Sequence, residues 1–514
     1  MPGGVLQLSA FGAQDVYLTG TPQITFFKSV YRRYTNFATE SIQQAFDGTV
    51  DFGKQPTVTI SRNGDLLGAV WLEISVPDLL TYDITPTPAE GNTSNVMTVG
   101  GNVYTDTTGN YWQVRNGSAP NYTYANAIAV YDGIGSYYKN YGQLGNVASY
   151  TGNITTWPYM LVASDVVHPP LRTFTVPTSN VRYVNGIGYA IMKSVELEIG
   201  GQRIDKHYSE WWDVWTELTE KSEKIDGLNV MTGRYDPASY ASTWQRQQSA
   251  ATTYYVPLRF CYNRAPGMYL PLVALSYHQI KLNFEFRNYL ECIRSTVPIT
   301  ALTSKLGALP LSIQNVNLYA DYVFLDSPER MRMSEIQHEY LVTQLQYQGD
   351  EPVPSPSDPN GTVNRKYNLN FNHPVRELVW VYQAASKYAS DPVAGNDIFD
   401  YEIPGTGGEI FETAKLVING SDRFSVRNGP YFRLVQPYEH HTRVPSKSVY
   451  VYSFALSNAE DLQPNGTANF TRFDSAQLQF SLNPALPAGR VKIYAVNYNV
   501  LRVAAGMAGL SFAN

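Results

Sequence analysis

Residues 324–347 read FLDSPERMRMSEIQHEYLVTQLQY, and this stretch decides how the chain is organised. The segment before it, VNLYADYVFL (316–325), has the aromatic and branched residues typical of a β-strand. Ser327-Pro328-Glu329 indicates a helix start, with a capping hydroxyl, a proline suited to the first turn and an acid at the positive end. Residues 341–347 alternate apolar side chains with glutamines, which predicts a second strand. The stretch is therefore predicted to be strand, short helix, strand.

Three patterns recur in the same order on both sides of this joint. The first is a strand with a tryptophan that is expected to be buried, LLGAVWLEI (66–74) and VRELVWVYQ (375–383). The second is a strand that ends in a glycine turn, LEIGGQRI (197–204) and LVINGSDRF (416–424). The third is a closing strand, VNLYADYVFL (316–325) and VKIYAVNYNVL (491–501). The offset between partners falls from 309 (Trp71, Trp380) through 219 (Gly201, Gly420) to 175 (Tyr319, Tyr494). The chain is thus predicted to contain one domain twice, with two insertions in the first copy.

Composition favours a large all-β protein. A chain of 514 residues is too long for one core, so at least two domains are expected. Charged residues are only 16%, whereas 39 tyrosines suit strands, and 38 glycines with 31 prolines punctuate them. This pattern predicts many short strands and turns rather than long helices.

Charge and cysteine usage exclude several classes of protein. A net charge of −6 gives no basic field for nucleic acid, so direct sequence-specific binding of nucleic acid is not expected. Cys261 and Cys292 lie far apart, which argues against a disulfide framework and for reduced thiols. The first residues lack a basic segment followed by an apolar one, so no secretory signal is predicted. No run of 18 apolar residues occurs, so no membrane span is predicted.

The chain divides into an arm and two domains. The predicted bounds are 1–38 for the N-terminal arm, 39–326 for the first domain with an insertion at about 81–185, and 327–514 for the second domain. The insertion holds few charges and many tyrosines, so we expect it to be ordered with strands of its own.

Local patterns predict further elements. A helix is expected to start at Pro22, and a second one over 209–221, capped by Ser209 and packed on the end of a sandwich. Two long strands are expected over 254–286, and an exposed loop over 349–361.

Motifs for catalysis or metal binding are weak. His338-Glu339 opens like a zinc-protease helix, but Val342 stands where the second histidine belongs. His440-His441 is interpreted as a surface pair, and Gly405–Gly408 as a turn without the lysine of a phosphate loop. Asp397 and Asp400 are acids that sequence cannot place across a cleft. No catalytic residue, cofactor or required metal is therefore predicted.

Two sets of residues remain as candidate sites. Eight Asn-X-Ser/Thr sequences mark polar loops as candidate glycosylation acceptors: Asn92, Asn116, Asn121, Asn153, Asn360, Asn419, Asn465 and Asn469. In the arm, Lys28, Arg32 and Arg33 form a local basic patch, because residues 16–39 contain no acid. This patch is either the solvated face of a surface helix or a docking site for another protein or an anionic inner surface.

Three separate blocks resemble one protein family. They are GGVLQLSAFGAQDVYLTGTPQITFFKSVYRRYTNFATE near the start, FLDSPERMRMSEIQHEYLVTQLQ at the joint and YSFALSNAEDLQPNGTANFTRFDSAQLQF in the second half. These blocks resemble the major capsid proteins of nucleocytoplasmic large DNA viruses, of the algal and protist type. The resemblance runs from residue 3 to about residue 503 and is weakest in 81–185.

The resemblance implies a double jelly-roll, an all-β fold of two eight-stranded sandwiches side by side with short helices and long loop insertions. It implies a structural protein that forms homotrimers, which are pseudo-hexameric capsomers of an icosahedral virion shell assembled in the host cytoplasm. The expected partners are the chain itself, neighbouring capsomers, minor capsid proteins beneath the shell and the inner membrane surface. It also implies that the long loops face outward and the arm inward.

Two other classes stay open at this point. A carbohydrate-binding or carbohydrate-processing sandwich would use exposed tyrosines and tryptophans to stack on sugars, and it would be favoured by a secretion signal or by two acids in a cleft. A minor or vertex capsid component would be favoured by a single jelly-roll, against which the duplication argues.

Overall fold

The fold is two β-sandwiches joined by one short helix. The computed structural model describes residues 3–79, 181–235, 251–295, 312–354, 364–388, 395–403, 408–458 and 463–512, together with the backbone of short strands between 80 and 180. The eight main strands of the first half are β1 (Phe37–Gln44), β2 (Thr57–Thr59), β3 (Leu66–Val76), β4 (Met192–Ile199), β5 (Gln202–Tyr208), β6 (Thr252–Pro257), β7 (Ile280–Phe286) and β8 (Asn315–Leu325). Those of the second half are β9 (His338–Val353), β10 (Asn364–Asn368), β11 (Pro374–Ala384), β12 (Phe411–Ile418), β13 (Ser421–Asp422), β14 (Val449–Ser453), β15 (Ala476–Leu482) and β16 (Gly489–Ala504).

Short helices occupy the arm and the connections. The α-helices are α1 (Gly3–Ser9), α2 (Val16–Thr19), α3 (Ile187–Ile191), α4 (Ser209–Thr219), α5 (Ser222–Thr232), α6 (Cys261–Arg264), α7 (Ser327–Glu335) and α8 (Gln436–His440). A π-helical turn, Tyr431–Val435, runs directly into α8. Single 3-10 turns lie at Pro266–Met268, Leu272–Ala274, Tyr289–Glu291, Ala385–Lys387 and Phe470–Arg472.

The two halves have the same topology. In the first half the sheets run in the order β1-β8-β3-β6 and β5-β4-β7-β2. In the second half they run β9-β16-β11-β14 and β10-β15-β12-β13, so each strand of the first half matches the strand numbered eight higher. This order, in which the last strand lies between the first and the third, is that of a jelly-roll sandwich. The double jelly-roll predicted from the sequence is therefore confirmed.

Each sandwich has its own apolar core between its two sheets. In the first half, alternate residues of β3 point inward, and Leu72 packs in the same cluster as Phe284 of β7. In the second half, Trp380 of β11 lies at the centre, with its ring centroid 5.7 Å from that of Phe480 on β15. Alternation along strands thus fixes which side chains fill each sandwich.

The joint has the predicted order. Strand β8 ends at Leu325, α7 follows, and β9 starts at His338. The helix cap is one residue earlier than expected, because the carboxylate of Asp326 accepts the hydrogen bond from the Ser327 amide. Arg330 of α7 pairs with Asp65 at 2.9 Å, which holds the helix against the first sandwich.

The glycine anchors are confirmed, whereas the tryptophan anchor is out of register. Gly201 (φ +83°) and Gly420 (φ +78°) both turn the chain between equivalent strands, in a conformation that glycine adopts readily. Trp71, however, is only half-buried and lies opposite Tyr319 on the outer face of β3, whereas Trp380 is fully buried in the core. A shift of one residue moves a strand side chain to the other face, so these two tryptophans are not equivalent.

Several local predictions are wrong. The arm has short helices at Gly3–Ser9 and Val16–Thr19, and no helix starts at Pro22. Isolated short helices are marginal, and residues 22–36 are exposed with respect to the part of the chain that the structure describes. The two strands expected over 254–286 are present only at its ends, as β6 and β7, and helical turns with a two-residue strand, Leu270–Pro271, lie between them. Residues 349–353 belong to β9 rather than to a loop, and residues 355–363 lie outside the described residues.

The insertion contains strands, as expected. Its described backbone includes antiparallel hairpins such as Asn95–Val99 with Asn102–Asp106 and Ala127–Tyr131 with Ser136–Asn140. Further short strands lie at Thr87–Pro88, Trp112–Asn116, Tyr122–Tyr124, Tyr159–Ala163 and Arg172–Thr173.

We expect Trp380→Ala to destabilise the second sandwich strongly. The variant removes a fully buried indole and leaves a cavity, which typically costs about 3–5 kcal/mol in the free energy of unfolding. Urea unfolding followed by near-ultraviolet circular dichroism measures this cost. Val230→Ala on α5, where the side chain is 80% exposed, is the matched control and should change the free energy by less than about 0.5 kcal/mol. Equal effects of the two variants would contradict the assigned core.

Candidate functional site

Helix α4 lies in the seam between the two sandwiches. It follows β5 directly, and its residues Trp211, Val214 and Leu218 are buried. They pack on the outer face of the β9-β16-β11-β14 sheet and on one residue of a connecting segment, Tyr401; the residues of the sheet are Val379, Val381, Val449, Val451, Tyr494 and Val496. The ring centroids of Trp211 and Tyr494 are 5.3 Å apart. The expectation that this helix caps the end of a sandwich is therefore wrong, since it forms a third apolar core that belongs to both halves.

The acids of α4 are buried in the same seam. Glu210 lies 3.2 Å from the ammonium of Lys492, measured from Oε1 to Nζ. The guanidinium groups of Arg490 and Arg287 are each 3.9 Å from the same oxygen. Lys492 and Arg490 lie on β16 of the second sandwich and Arg287 follows β7 of the first, so one carboxylate binds cations from both halves.

Asp213 and Glu217 continue this row one and two turns later. Asp213 pairs with Lys447 at 2.7 Å and with Arg234 at 2.8 Å. Glu217 pairs with Arg234 at 2.6 Å and with Arg443 at 3.0 Å, and its second oxygen also accepts hydrogen bonds from the amide and hydroxyl of one further residue, Ser446. Arg234 follows α5 of the first half, whereas Lys447 and Arg443 precede β14 of the second.

The cations determine the charge state of these acids. Burial alone would raise the pKa of Glu217, but Lys447 and Arg234, the Ser446 amide and Arg443 outweigh it and lower the pKa to about 2. Burial of Glu210 is likewise outweighed by Lys492, Arg287 and Arg490, which hold its pKa well below the usual range. Buried charges are costly unless they are paired, so the loss of one partner would leave the others uncompensated.

A second contact joins the edges of the two sandwiches. The carboxylate of Asp205 on β5 accepts a hydrogen bond from the Leu345 amide of β9 at 3.0 Å. Gln344 donates to the carbonyl of Ile204 in the same seam. The guanidinium of Arg264 lies 4.1 Å from the centre of the Trp215 ring and donates to Thr343 at 3.1 Å. Polar pairs therefore continue the seam that α4 begins.

The two acids singled out from the sequence belong to this seam and not to an open cleft. Asp397 pairs with Arg294 of the first half, and both Asp397 (3.9 Å) and Asp400 (2.6 Å) approach the ammonium of Lys387. Burial raises the pKa of Asp397, and the two cations only partly offset it. Their chemistry is that of a structural ion cluster.

The histidines considered as metal ligands point to different partners. His441 is buried and its Nε2 lies 2.8 Å from Glu377, whereas the Nδ1 of His440 lies 3.0 Å from the Leu456 carbonyl oxygen. His338 starts β9, with its Nε2 2.7 Å from the Met333 carbonyl oxygen. Among the residues that the structure describes, no group of three His, Cys, Asp or Glu side chains could hold a metal ion. Gly405–Thr406–Gly407 lies outside the described residues.

The candidate glycosylation acceptors divide by location. Asn92, Asn121, Asn153 and Asn360 lie outside the described residues, and of Asn116 only the backbone, in a short strand, is described. Asn419 occupies the turn between β12 and β13, where its side chain accepts a hydrogen bond from the Ser475 amide. The side chain of Asn465 donates to Ser457 at 2.7 Å, and that of Asn469 accepts from Thr471. The side chains of these three asparagines therefore already hydrogen-bond to the protein, and glycosylation stays a prediction.

The arm is exposed along its described length. None of residues 3–36 is buried, Lys28, Arg32 and Arg33 are all exposed, and the apolar side chains between them are exposed as well. Helices of membrane-spanning length and apolarity are missing from the described part of the chain. Against the described residues of its own sandwich, the arm thus buries no side chain.

The acids of α4 are the functional residues that the sequence analysis missed. Their signal is visible afterwards: Glu210, Asp213 and Glu217 recur on one helix side, interleaved with Trp211 and Val214, in a chain with few charges. Amphipathicity identified the apolar stripe, but a helix with acids beside that stripe is usually a solvated surface helix. Only the tertiary structure places the cations opposite.

Comparisons with known proteins agree over the whole chain. The family described as large eukaryotic DNA virus major capsid protein matches residues 329–509, and the family described as major capsid protein N-terminus matches residues 25–107 and 165–326. The major capsid protein of Phaeocystis pouchetii virus is 34% identical, and that of Pyramimonas orientalis virus is 35% identical, each over the full length of both chains.

Solved structures agree with these relatives. A chain of the PBCV-1 virus capsid is 28% identical, with a TM-score of 0.64 over 95% of this chain and 100% of that chain. The Faustovirus major capsid protein shares the fold, with a TM-score of 0.61 at 13% identity over 98% of this chain and 96% of that one.

We expect the seam to weaken in acid. In the folded chain the pKa of Glu217 is about 2, below the roughly 4.3 of an unfolded glutamate. The stability that the ionised Glu217 contributes is therefore complete above pH ~4.3 and is lost as the pH falls toward 2. Glu217→Gln should cost about 3 kcal/mol in the free energy of unfolding at pH 7, because it leaves buried arginines underpaired, and should flatten the pH dependence below pH ~4.3. Urea midpoints between pH 7 and roughly 2.5 measure both effects.

The control for this prediction is Glu223→Gln, an exposed position on the neighbouring α5. It should leave both the midpoint at pH 7 and its pH dependence close to those of the parent chain. An unchanged midpoint for Glu217→Gln would contradict the assignment of this carboxylate to the seam.

Proposed function

Because this chain belongs to the major capsid proteins of large eukaryotic DNA viruses, we propose that three copies of it close into one near-hexagonal capsomer. Its role is structural, in the virion capsid, and it is not an enzyme. The observation that carries the trimer is the shared strand order of the two sandwiches. Two similar sandwiches in each of three chains give six similar corners, so the tile packs hexagonally while its symmetry stays threefold.

The orientation of the tile follows from the ends of the strands. Val76, which precedes the insertion, pairs with Thr252 at one end of the first sandwich. Phe37, where the arm joins β1, pairs with Leu325 at the opposite end. We propose that the insertion at about 81–185 faces away from the particle and that the arm lies on the inner side, with the domain bounds 1–38, 39–326 and 327–514.

The arm is the proposed contact with the particle interior. Its exposed aromatic side chains, including Phe26, Phe27 and Tyr31, need a partner to be covered. Lys28, Arg32 and Arg33 add positive charge to a chain whose net charge is −6, which suits acidic minor capsid proteins or an inner membrane surface. In this proposal shell assembly occurs in the host cytoplasm, and neighbouring capsomers supply the lateral contacts.

We expect the purified chain to be a trimer. Mass photometry at nanomolar to micromolar concentration should give a dominant species of three times the chain mass of 57.5 kDa. A monomer over the whole range would contradict the proposed capsomer. A dimer would contradict it as well, because two chains cannot close a ring with six similar corners.

Deletion of residues 2–20 should separate folding from assembly. Because the described arm has no buried residue, the truncated chain should form trimers with an unchanged melting temperature. Its yield of closed particles with the minor proteins should fall severalfold, since the docking segment is missing. Trimer melting and particle yield are measured on the same preparations. An unchanged particle yield would contradict the docking role, and a large fall in melting temperature would show that the arm stabilises its own domain instead.

A further inference from the structure

The contact between α4 and the second sandwich has an equivalent pair of surfaces that do not meet within one chain. Helix α4 lies between β5 and β6 of the first sandwich and covers the outer face of the second sandwich. The helical segment Tyr431–His440 lies at the equivalent position, between β13 and β14 of the second sandwich. By the duplication, this segment should cover the outer face of a first sandwich.

The helical segment presents the apolar surface that such a contact needs. Leu434, Val435 and Tyr438 are 39%, 40% and 79% exposed. Leu434 and Tyr438 are four residues apart on helical backbone, so their side chains lie on one side of the segment. In α4, the corresponding apolar side is buried in the seam. The exposed side of the segment therefore corresponds to the buried side of α4.

The equivalent sheet face of the first sandwich is uncovered in the described part of the chain. Trp71 of β3 and Tyr319 of β8 lie opposite each other on this outer face and are only half-buried. Tyr255 of β6 lies on the same face and is 46% exposed. In the second sandwich, the matching face, with Val379 and Tyr494, is fully buried under α4.

We propose that the segment Tyr431–His440 of one chain docks on the outer face of the β1-β8-β3-β6 sheet of a second copy. The occupant is a second copy because each chain carries both surfaces at equivalent positions. Within one chain the two surfaces do not meet, since α4 fills the space between the two sandwiches. The contact is heterologous, with different surfaces on the two partners, and the threefold rotation of the proposed capsomer closes such contacts into a ring. The proposal rests on the proposed capsomer and names the surfaces that hold it together.

Charge gives the contact its direction. Within the chain, acids of α4 meet the cations Lys492 and Lys447 on the second sandwich. At the proposed contact the signs are reversed. Arg423 and Arg427 are exposed on the chain just before the helical segment, and the guanidinium of Arg427 lies 5.0 Å from the centre of the Tyr431 ring.

The sheet face supplies the opposite charge. Glu73 of β3 lies on the same outer face as Tyr319, and Asp321 of β8 lies on it as well, because its neighbours Ala320 and Tyr322 point into the core. Inside the chain an acidic helix meets a basic sheet, whereas at the proposed contact the arginines that precede the helical segment meet an acidic sheet. This reversal would repel α4 from a first sandwich and so enforce alternation of first and second sandwiches around the ring.

Charge exchange between the two surfaces tests the proposal. Arg427→Glu or Glu73→Arg alone places like charges across the contact, and each is expected to raise the concentration of half-dissociation of the trimer by about tenfold or more. The double variant Arg427→Glu/Glu73→Arg restores opposite charges and should recover most of the parent affinity. Mass photometry over a dilution series measures all four proteins. Tyr438→Ser should also weaken the trimer, through loss of apolar contact.

The control is Lys366→Glu, the same change of sign at an exposed position on β10, at the opposite edge of its sheet from β13. It should leave the half-dissociation concentration unchanged, and thermal unfolding checks that every variant is folded. If the parent chain is a trimer that neither single charge variant weakens, or if the double variant does not recover, the docking surface is wrong while the capsomer stands. If the parent chain is a monomer, the proposed function itself fails.

Discussion

The buried ion pairs of α4 are the constraint on which the rest of the structure depends. Three carboxylates on one helix of eleven residues are placed out of water, and each faces at least two cations. Such an arrangement is tolerated only when the geometry is satisfied on all sides, because an unpaired buried charge costs several kcal/mol. Since the cations come from both sandwiches, the two cannot rotate or slide against each other without leaving charges unpaired. The apolar layer around Trp211 supplies the burial, and the ion pairs supply the orientation.

This fixed orientation turns two similar sandwiches into one tile. Jelly-rolls connected only by a short helix such as α7 would be free to hinge, and a shell of hinged subunits would not define a curvature. The seam instead joins an outer sheet face of the second sandwich to helix α4 of the first. It leaves the other two equivalent surfaces exposed, the segment Tyr431–His440 and the outer face of the β1-β8-β3-β6 sheet. A chain with one closed seam and one open helix-and-sheet pair is suited to association with its own copies, and in the proposed capsomer the reversed charges determine which surfaces meet.

Much of the fold could be predicted from the sequence, because strand alternation and glycine turns are local. Gly201 and Gly420 turn equivalent hairpins, and Tyr319 and Tyr494 both lie on the closing strands and face outward. Trp71 misled the prediction because a tryptophan looks the same on either face of a strand, and register depends on bulges that have no simple sequence signal. The position of α4 could not be predicted, since its partners Lys447 and Lys492 lie more than two hundred residues away. The helical segment after Tyr431 was missed because Pro437 and the β-branched Val435 are poor helix formers, and packing on β14 outweighs that preference.

Hydrogen exchange measured by mass spectrometry tests the central claim most directly. If α4 locks the two sandwiches, peptides covering Ser209–Thr219 should exchange as slowly as peptides of β14 and β16, which it covers, because all three become exposed only when the seam opens. Protection of the three should also fall together as pH is lowered below about 4.3, where unfolded glutamates become protonated. An α4 peptide that exchanges orders of magnitude faster than these strands would contradict the account, because the helix would then open without disturbing the sandwiches it is said to hold.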